Sequence, residues 1–485
     1  MSITLQQLDQ WLNAPSENEH LEFKEAKHNY HFDKLVKYCS AIANEGGGTM
    51  ILGVTDVPPR HVVGSQAFEQ VERTKAGLIE RLRLRVDVQE VMHPDGRVLV
   101  FTIPSRPIGM PVSIEGAYWM RGGEDLVPMT PDQLKRIFDE SGPDFTAETC
   151  PRACMDDLDS HAIDQFRQRW HRKSGNAALL ELPVHQLLTD AELINGDAIT
   201  YAALILLGTR AAMGKYLANS EVIFEYRSSE VAGPANQRVE YRQGFLAYYE
   251  KLWETINLRN DMQTFQDGLF MLDVPTFSEA ATREAILNAV GHRDYRNPGS
   301  VFIRQYTRRL EIVSPGGLLP GITVENIIDR QAPRNRRLVD NFARCGLVER
   351  AGQGFNRIFE ETIRQSKPLP DFKNTDEYQV SLTLNGQLQD PRFLQFLEKV
   401  GQERQVSFST HDLLVLDLIR REQDIPDWLR KPLRSLVDDG IVESIGRGRG
   451  VRYLLSRRYY QMAKQAGAYT RKQGLDTETN RQLLL

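Results

Sequence analysis

Cysteine is scarce: four residues in 485, Cys39, Cys150, Cys154 and Cys345. They are too few and too scattered for a disulfide framework, and the Cys150/Cys154 pair lacks the second ligand pair a zinc site needs, so a reducing cytoplasm is the expected setting. Long apolar runs are missing too. None approaches the roughly 18 to 20 residues that span a bilayer, and the start, MSITLQQLDQWLNA, has no basic segment followed by an apolar core. A soluble, intracellular chain with no membrane partner is therefore expected. No G-x4-G-K-[ST] signature occurs, which argues against a helicase motor. Internal repeats and low-complexity tracts are also lacking. Excess charge is small: 60 Lys and Arg stand against 65 Asp and Glu, a net −5. Any nucleic-acid contact must then come from local basic patches and not from the global field.

The chain is longer than one hydrophobic core usually serves, so three or more domains are expected. A hydrophobic content of 41% supports globular domains. FDKLVKYCSAIANEGGG has apolar Leu35, Val36, Cys39, Ile42 and Ala43 at helical spacing, and the glycines from Gly46 end the helix. TMILGVTD and RVLVFTIP read as strands, and YWMRGGED leads into a helix around PDQLKRIFDE. This makes a first α+β domain over 1–142. A mixed connecting region over 143–235 holds a buried helix, AITYAALILLGT, and a strand, SEVIFEYR. The polar stretch SSEVAGPANQRVEYRQG separates it from a second α+β domain over 236–385. LNGQLQDPRF reads as a linker, 400–460 as a small helical module with a hairpin, and 461–485 as a basic tail.

ENEHLEFKEA, residues 17–26, carries four glutamates and a lysine. On a strand, Leu21 and Phe23 take one face while Glu22 and Lys24 share the other. Exposed Glu and Lys are the norm, so alone this also reads as a solvated strand. Asp56, just past the end of ILGVTD, lies where it can converge with Glu17 and Glu22. Three carboxylates without matching cations repel, and Mg²⁺ or Mn²⁺ relieves the repulsion by oxygen ligation. Such a cluster suits phosphodiester cleavage, with Lys24 neutralising charge on the phosphate.

ENEHLEFKEA, AIANEGGGTMILGVTD and YWMRGGED together resemble the Schlafen-type AlbA domain over about residues 10–140. The resemblance places Glu17 and Glu22 on the family's two glutamates, Lys24 on its lysine and Asp56 on its aspartate. It implies a metal-dependent endoribonuclease acting on transfer RNA or similar structured RNA. It equally implies a nucleic-acid-binding module, since many members serve only as that.

In REAILNAVGHRDYRNPG, Glu284, Asn288 and His292 recur every four residues and share a helical face, where polar atoms can orient water and a cation. LEIVSPGGLLPG is a strand running into Gly316 and Gly317, and VERAGQGFNRI places Gly352 and Gly354 in a turn opening a helix, where backbone N–H groups can hold phosphate oxygens. These segments resemble the GHKL-like ATP-binding α/β sandwich over about 270–385, in the variant joined to Schlafen-type AlbA domains in bacterial proteins labelled RecG-like helicases or transcriptional regulators. By that resemblance Glu284 activates water, Asn288 binds Mg²⁺, Gly316 and Gly317 shape the nucleotide pocket, and Gly352 and Gly354 lie near the phosphates. Where the wider class has an adenine-reading aspartate, this sequence has Ser314.

The segment 408–456 has the pattern of a winged helix-turn-helix: a helix with Leu413, Leu414, Leu416, Leu418 and Ile419, another with Leu429, Leu433, Leu436 and Val437, then a hairpin. Arg430, Lys431 and Arg434 would line the recognition helix and Arg447, Arg449 and Arg452 the wing. The expected fold class is α+β multidomain. The expected function is an RNA-binding and RNA-cutting protein regulated by ATP, in phage defence or a stress response. The alternative is an ATP-responsive, DNA-binding transcriptional regulator without nuclease activity. A single AlbA-type lobe offers half a groove, so a C2 homodimer is expected.

Overall fold

The computed structural model describes residues 3–13, 18–122, 125–139, 144–230, 233–267, 270–319, 321–324, 326–330, 332–348, 354–404, 407–446 and 451–462. The chain divides into two compact units, Met1–Pro143 with Leu319–Gly321, and Asp144–Leu318 with Ile322–Leu485.

In the first unit, the order is α1 (Leu5–Leu12), β1 (Leu21–Lys24), α2 (Phe32–Asn44), β2 (Gly48–Leu52), α3 (Val71–Leu82), β3 (Asp87–His93), β4 (Gly96–Ile103), β5 (Ser113–Ile114), β6 (Ala117–Gly122), β7 (Asp125–Pro128) and α4 (Pro131–Asp139). The main sheet runs β1-β2-β4-β3, with β1 parallel to β2 and the other pairs antiparallel; β5-β6-β7 form a second, small sheet. The main sheet is covered on both faces. Leu8 of α1 packs on Leu21, Phe23, Ile51 and Val100. Leu35, Cys39 and Ile42 of α2, with Leu78 and Leu82 of α3, pack on Met50, Leu52, Leu99 and Phe101. This explains why the alternation of β1 does not leave an exposed acidic face: Glu22 lies on the α2 side and is fully buried. Three glycines end α2 and start β2. Gly46 and Gly47 have φ of +100° and +92°, and a Cβ on Gly48 would fall 2.3 Å from the His20 carbonyl oxygen.

The second unit continues with α5 (Ser160–Ser174), α6 (Val184–Asp190), β8 (Ile194–Asn195), β9 (Ala198–Ile199), α7 (Tyr201–Leu207), α8 (Arg210–Tyr216), β10 (Val222–Tyr226), β11 (Gln237–Tyr241), α9 (Phe245–Asn257), β12 (Met262–Asp267), β13 (Phe270–Pro275) and α10 (Glu279–Gly291). Then come β14 (Val301–Gln305), β15 (Arg309–Pro315), α11 (Arg336–Arg344), α12 (Gly354–Arg364), β16 (Gln379–Asn385), α13 (Pro391–Arg404), α14 (Thr410–Arg420), α15 (Arg430–Asp438), β17 (Val442–Ile445), β18 (Arg452–Leu455) and α16 (Arg457–Met462). Its sheet runs β11-β10-β14-β15-β16, with only β10 and β14 parallel.

Three local expectations change. The polar stretch after β10 does not separate two folding units, because it contains β11, which pairs with β10 from Val222↔Tyr241 to Tyr226↔Gln237 in the same sheet. That sheet takes strands from both sides of the 235/236 division. LNGQLQDPRF is not wholly a linker: its proline opens α13, whose Phe393 and Phe396 are fully buried, as Pro favours a first helical turn. AITYAALILLGT starts as the short strand β9 before Thr200 caps α7. One continuous core then extends from Cys150 to Tyr460 and includes Leu413, Leu416, Leu433 and Leu455 of the C-terminal helices and hairpin.

Candidate nucleic-acid and nucleotide sites

In the first unit, β1, α2, β6 and the loop after β2 bring four charged side chains together. One oxygen of Glu22 lies 2.6 Å from Lys24 Nζ, and the other lies 2.5 Å from Arg121 Nη2. Lys24 Nζ also reaches Asp56 Oδ2 at 3.2 Å, and Asp56 Oδ1 accepts from the Glu25 amide at 3.1 Å. The Glu22 and Arg121 side chains are both 0% exposed. The Tyr38 ring lies beneath both cations, 5.7 Å from Lys24 Nζ and 5.5 Å from Arg121 Cζ. Burial and then the Glu22 charge push the Tyr38 phenol above its ordinary value, and burial, Tyr38, Glu22 and Asp56 push Tyr30 far up, so both are neutral donors.

The structure joins Glu22, Lys24, Asp56 and Arg121 in an ion-pair chain. Each Glu22 oxygen already faces a protein cation. Among the described residues no group of three His, Cys, Asp or Glu side chains gathers that could hold a metal. The described members of the cluster, taken without Glu17, do not by themselves make a site for Mg²⁺ or Mn²⁺. The expectation missed Arg121 because its signal, the YWMRGGED stretch, lies 99 residues from Glu22. Glu17 lies outside the described residues.

Around this cluster, hydrogen-bond donors outnumber acceptors. Tyr30 Oη, Trp119 Nε1 and Arg121 Nε and Nη1 are buried without a hydrogen-bond partner among the described residues. Lys34 Nζ sits 5.8 Å from the Tyr30 ring and Lys37 Nζ 5.2 Å from the Trp119 ring. Basic groups here alternate with aromatic rings.

In the second unit, Ser278 caps α10 by accepting from the Ala281 amide, and the helix carries Glu284 and Asn288 on the side that meets α12. Gly354 is the first residue of α12. A Cβ there would fall 2.2 Å from Glu284 Oε1 and 3.2 Å from both Asn288 Oδ1 and Nδ2. Asn288 Nδ2 is buried with no hydrogen-bond partner among the described residues. The orphaned amide, the carboxylate and the side-chain-free helix start fit a phosphate with its cation. His292 is the C-cap of α10, one residue past its last turn; its amide donates to the Asn288 carbonyl at 2.9 Å. Gly316 and Gly317 follow β15, and Arg334 Nη2 donates to the Gly317 carbonyl at 2.7 Å. The Ser314 hydroxyl donates to the Ala289 carbonyl at 2.7 Å. Gly352 lies outside the described residues.

Burial, and then the nearby Arg334 charge, pull the His292 pKa from 6.5 down to about 4. The folded state thus favours neutral imidazole. The stability this contributes is complete above pH 6.5 and is lost as pH falls through about 4. We expect the urea midpoint of the second unit to drop between pH 7 and pH 4.5, and His292→Asn to reduce that drop. Equal pH slopes in the two proteins would contradict the assignment.

At the C-terminal end, Ser409 and Asp412 cap α14 reciprocally, and a short turn leads to α15, where Leu433 and Leu436 are buried while Arg430, Lys431 and Arg434 are exposed. β17 and β18 form an antiparallel hairpin with Arg452 exposed on it. Arg430 forms a 2.6 Å ion pair with Asp427, both well exposed. Arg447 and Arg449 lie outside the described residues, as does 463–485 of the tail.

Three segments of the chain match known family models. Residues 17–130 match the Schlafen AlbA_2 family model. Residues 299–384 match the HATPase_c_4 model, described as "Putative ATP-dependent DNA helicase recG C-terminal", and 135–223 match a domain of unknown function, DUF8451. The chain is thus an α+β multidomain protein with an AlbA_2 region and a HATPase-type region. Glu284, Asn288 and His292 lie upstream of the HATPase_c_4 match. No curated protein matches the chain. The crystal structure of the DIP2311 protein from Corynebacterium diphtheriae is similar in fold, with a TM-score of 0.55 and 21% identity over 95% of this chain and 98% of that one. The N-terminal domain of an "ATP-dependent DNA Helicase RecG-related Protein" from Nitrosomonas europaea aligns over 24% of this chain and 88% of its own, at 23% identity and a TM-score of 0.18. Among the described residues no helix is long and apolar enough to cross a membrane.

Proposed function

We propose that the chain is a nucleotide-responsive nucleic-acid-binding protein whose AlbA_2 region contacts the strand and whose HATPase-type region binds ATP. The observation that carries this reading is the neutralised Glu22. A carboxylate held by Lys24 and Arg121, with unpaired donors around it and Lys34 and Lys37 beside aromatic rings, suits an acceptor-rich, stackable ligand such as single-stranded nucleic acid. The α14–α15 helix pair and its hairpin, read as a winged helix, supply a second basic surface through Arg430, Lys431, Arg434 and Arg452. Glu284, Asn288 and Gly354 would hold the nucleotide phosphates and a Mg²⁺ ion, which supplies charge neutralisation between them. Pairing of two copies would complete a groove around the bound strand.

Endoribonuclease action on transfer RNA is the finer reading of the family pattern. It requires Glu17 and a divalent cation beside Glu22, which already carries two protein cations, so binding without cleavage is the function we favour. Incubating the full chain with labelled transfer RNA and single-stranded DNA, with Mn²⁺ and with or without ATP, separates the two: retention of intact strands supports binding, and metal-dependent cleavage replaces it with the nuclease reading. For the binding surface, Lys34→Ala/Lys37→Ala is expected to weaken retention of all sequences alike and to lower the log–log salt slope by about 2. An unchanged slope in a filter-binding titration would remove these lysines from the interface.

A further inference from the structure

Ser314 stands where the wider ATP-binding class has the acidic residue that reads adenine. Glu284 and His292 are eight residues apart, about 12 Å along α10. Gly354 meets Glu284 and also Asn288, which lies midway along this stretch. The other end is formed by the His292–Asp294 turn and by Gly316 and Gly317. With phosphates at the glycine that opens α12, the C-terminal end of α10 is the place left for the base.

Ser314 is ill placed to take the class role there, because it is buried and its proton is committed to the Ala289 carbonyl. Asp294 is well placed. Its amide donates to the Pro315 carbonyl at 2.8 Å, which pins it against the end of β15. A Cβ on Gly316 would fall 2.6 Å from Asp294 Cβ, so only glycine leaves room for that side chain. Asp294 Oδ1 accepts from the Arg296 amide at 3.0 Å, which fixes the carboxylate, while Oδ2 takes no hydrogen bond from the described residues. Arg334 holds the opposite wall through Gly317, and its Cζ would lie 3.5 Å from the same Cβ.

We propose that Asp294 is the base-reading residue of this pocket, its Oδ2 accepting the exocyclic amino group of adenine in place of a residue at 314. Arg334 acts as a positioning residue for the Gly316–Gly317 turn. The assignment rests on the nucleotide-binding reading above and adds its base specificity.

The test compares ATP with inosine triphosphate, which differs in carrying an oxygen where adenine has its amino group. A carboxylate accepts from the amino group but repels the oxygen, whereas an amide can turn its NH₂ toward the oxygen. Calorimetry on the full chain with Mg²⁺ is expected to show wild type favouring ATP by about tenfold or more. Asp294→Asn should lose or invert that ratio, and Asp294→Ala should lose it without gaining affinity for inosine triphosphate. Matched melting temperatures exclude misfolding as the cause. A wild-type ratio retained by both variants overturns the assignment. Absence of binding of either nucleotide by wild type, or Asn288→Ala binding ATP as wild type does, overturns the nucleotide reading itself, an outcome distinct from an unchanged ratio.

Discussion

Arg121→Met is expected to destabilise the first unit by about 3–5 kcal/mol, the cost of leaving a buried carboxylate without one of its cations. Glu22 is fully buried between β1 and α2, and Arg121 approaches one of its oxygens at 2.5 Å with its own side chain equally inaccessible. Lys24 stays, but it is shared with Asp56 and faces the other oxygen. The deficit can be closed by removing the charge at its source. Glu22→Gln combined with Arg121→Met should recover most of the loss, since replacing both members of a buried pair with neutral groups is often close to neutral. Hydrogen exchange at β1 and β2 amides of the full chain reads the first unit directly. A single Arg121→Met change within about 0.5 kcal/mol of wild type would mean that Glu22 is not held by this pair.

The same pair marks the limit of what the sequence disclosed. Local patterns were legible: the apolar spacing of Leu35, Val36, Cys39 and Ile42 gives α2, which runs Phe32–Asn44 before the glycines. That Asp56 comes near β1 was legible as well, because a parallel β1–β2 pairing puts the two strand ends side by side; its ion pair with Lys24 was not. Arg121 was not. It arrives on β6 after four further strands, and neither its distance from Glu22 nor its burial leaves a trace in the spacing of residues 17–26. The charge balance of a site depends on such non-local neighbours, and the spacing of a run of acids does not disclose them. Similarly, β11 is charged and short of apolar residues apart from Val239 and Tyr241, so its sequence reads as a connecting stretch. Its pairing with β10 and a half-exposed outer face make it a strand. In the second unit the glycines were legible as a class, but not the partner each one admits: Gly316 makes room for Asp294, and Gly354 for Glu284.

Gly354→Ala should separate nucleotide binding from stability. The added methyl would fall 2.2 Å from Glu284 Oε1 and 3.2 Å from the Asn288 amide. Both are far ends of side chains, so they can swing aside and the fold survives. Alanine in place of glycine in the first turn of α12 also favours the helix by up to about 1 kcal/mol. The melting temperature of the second unit should consequently stay within a few degrees of wild type. The displaced carboxylate and amide are, however, the groups assigned to the phosphates and their cation, and the methyl occupies the space where backbone N–H groups would meet phosphate oxygens. ATP affinity is expected to fall by about 100-fold, the loss of two charge-assisted contacts. Gly317→Ala is the contrasting case: its Cβ would meet the Asp376 and Glu377 carbonyl oxygens at 2.7 Å, and backbone cannot swing aside, so stability itself should drop. Calorimetry with ATP and Mg²⁺ beside thermal melts reads both quantities. Gly354→Ala binding ATP within twofold of wild type would place the phosphates away from α12, and with them the roles given to Glu284 and Asn288.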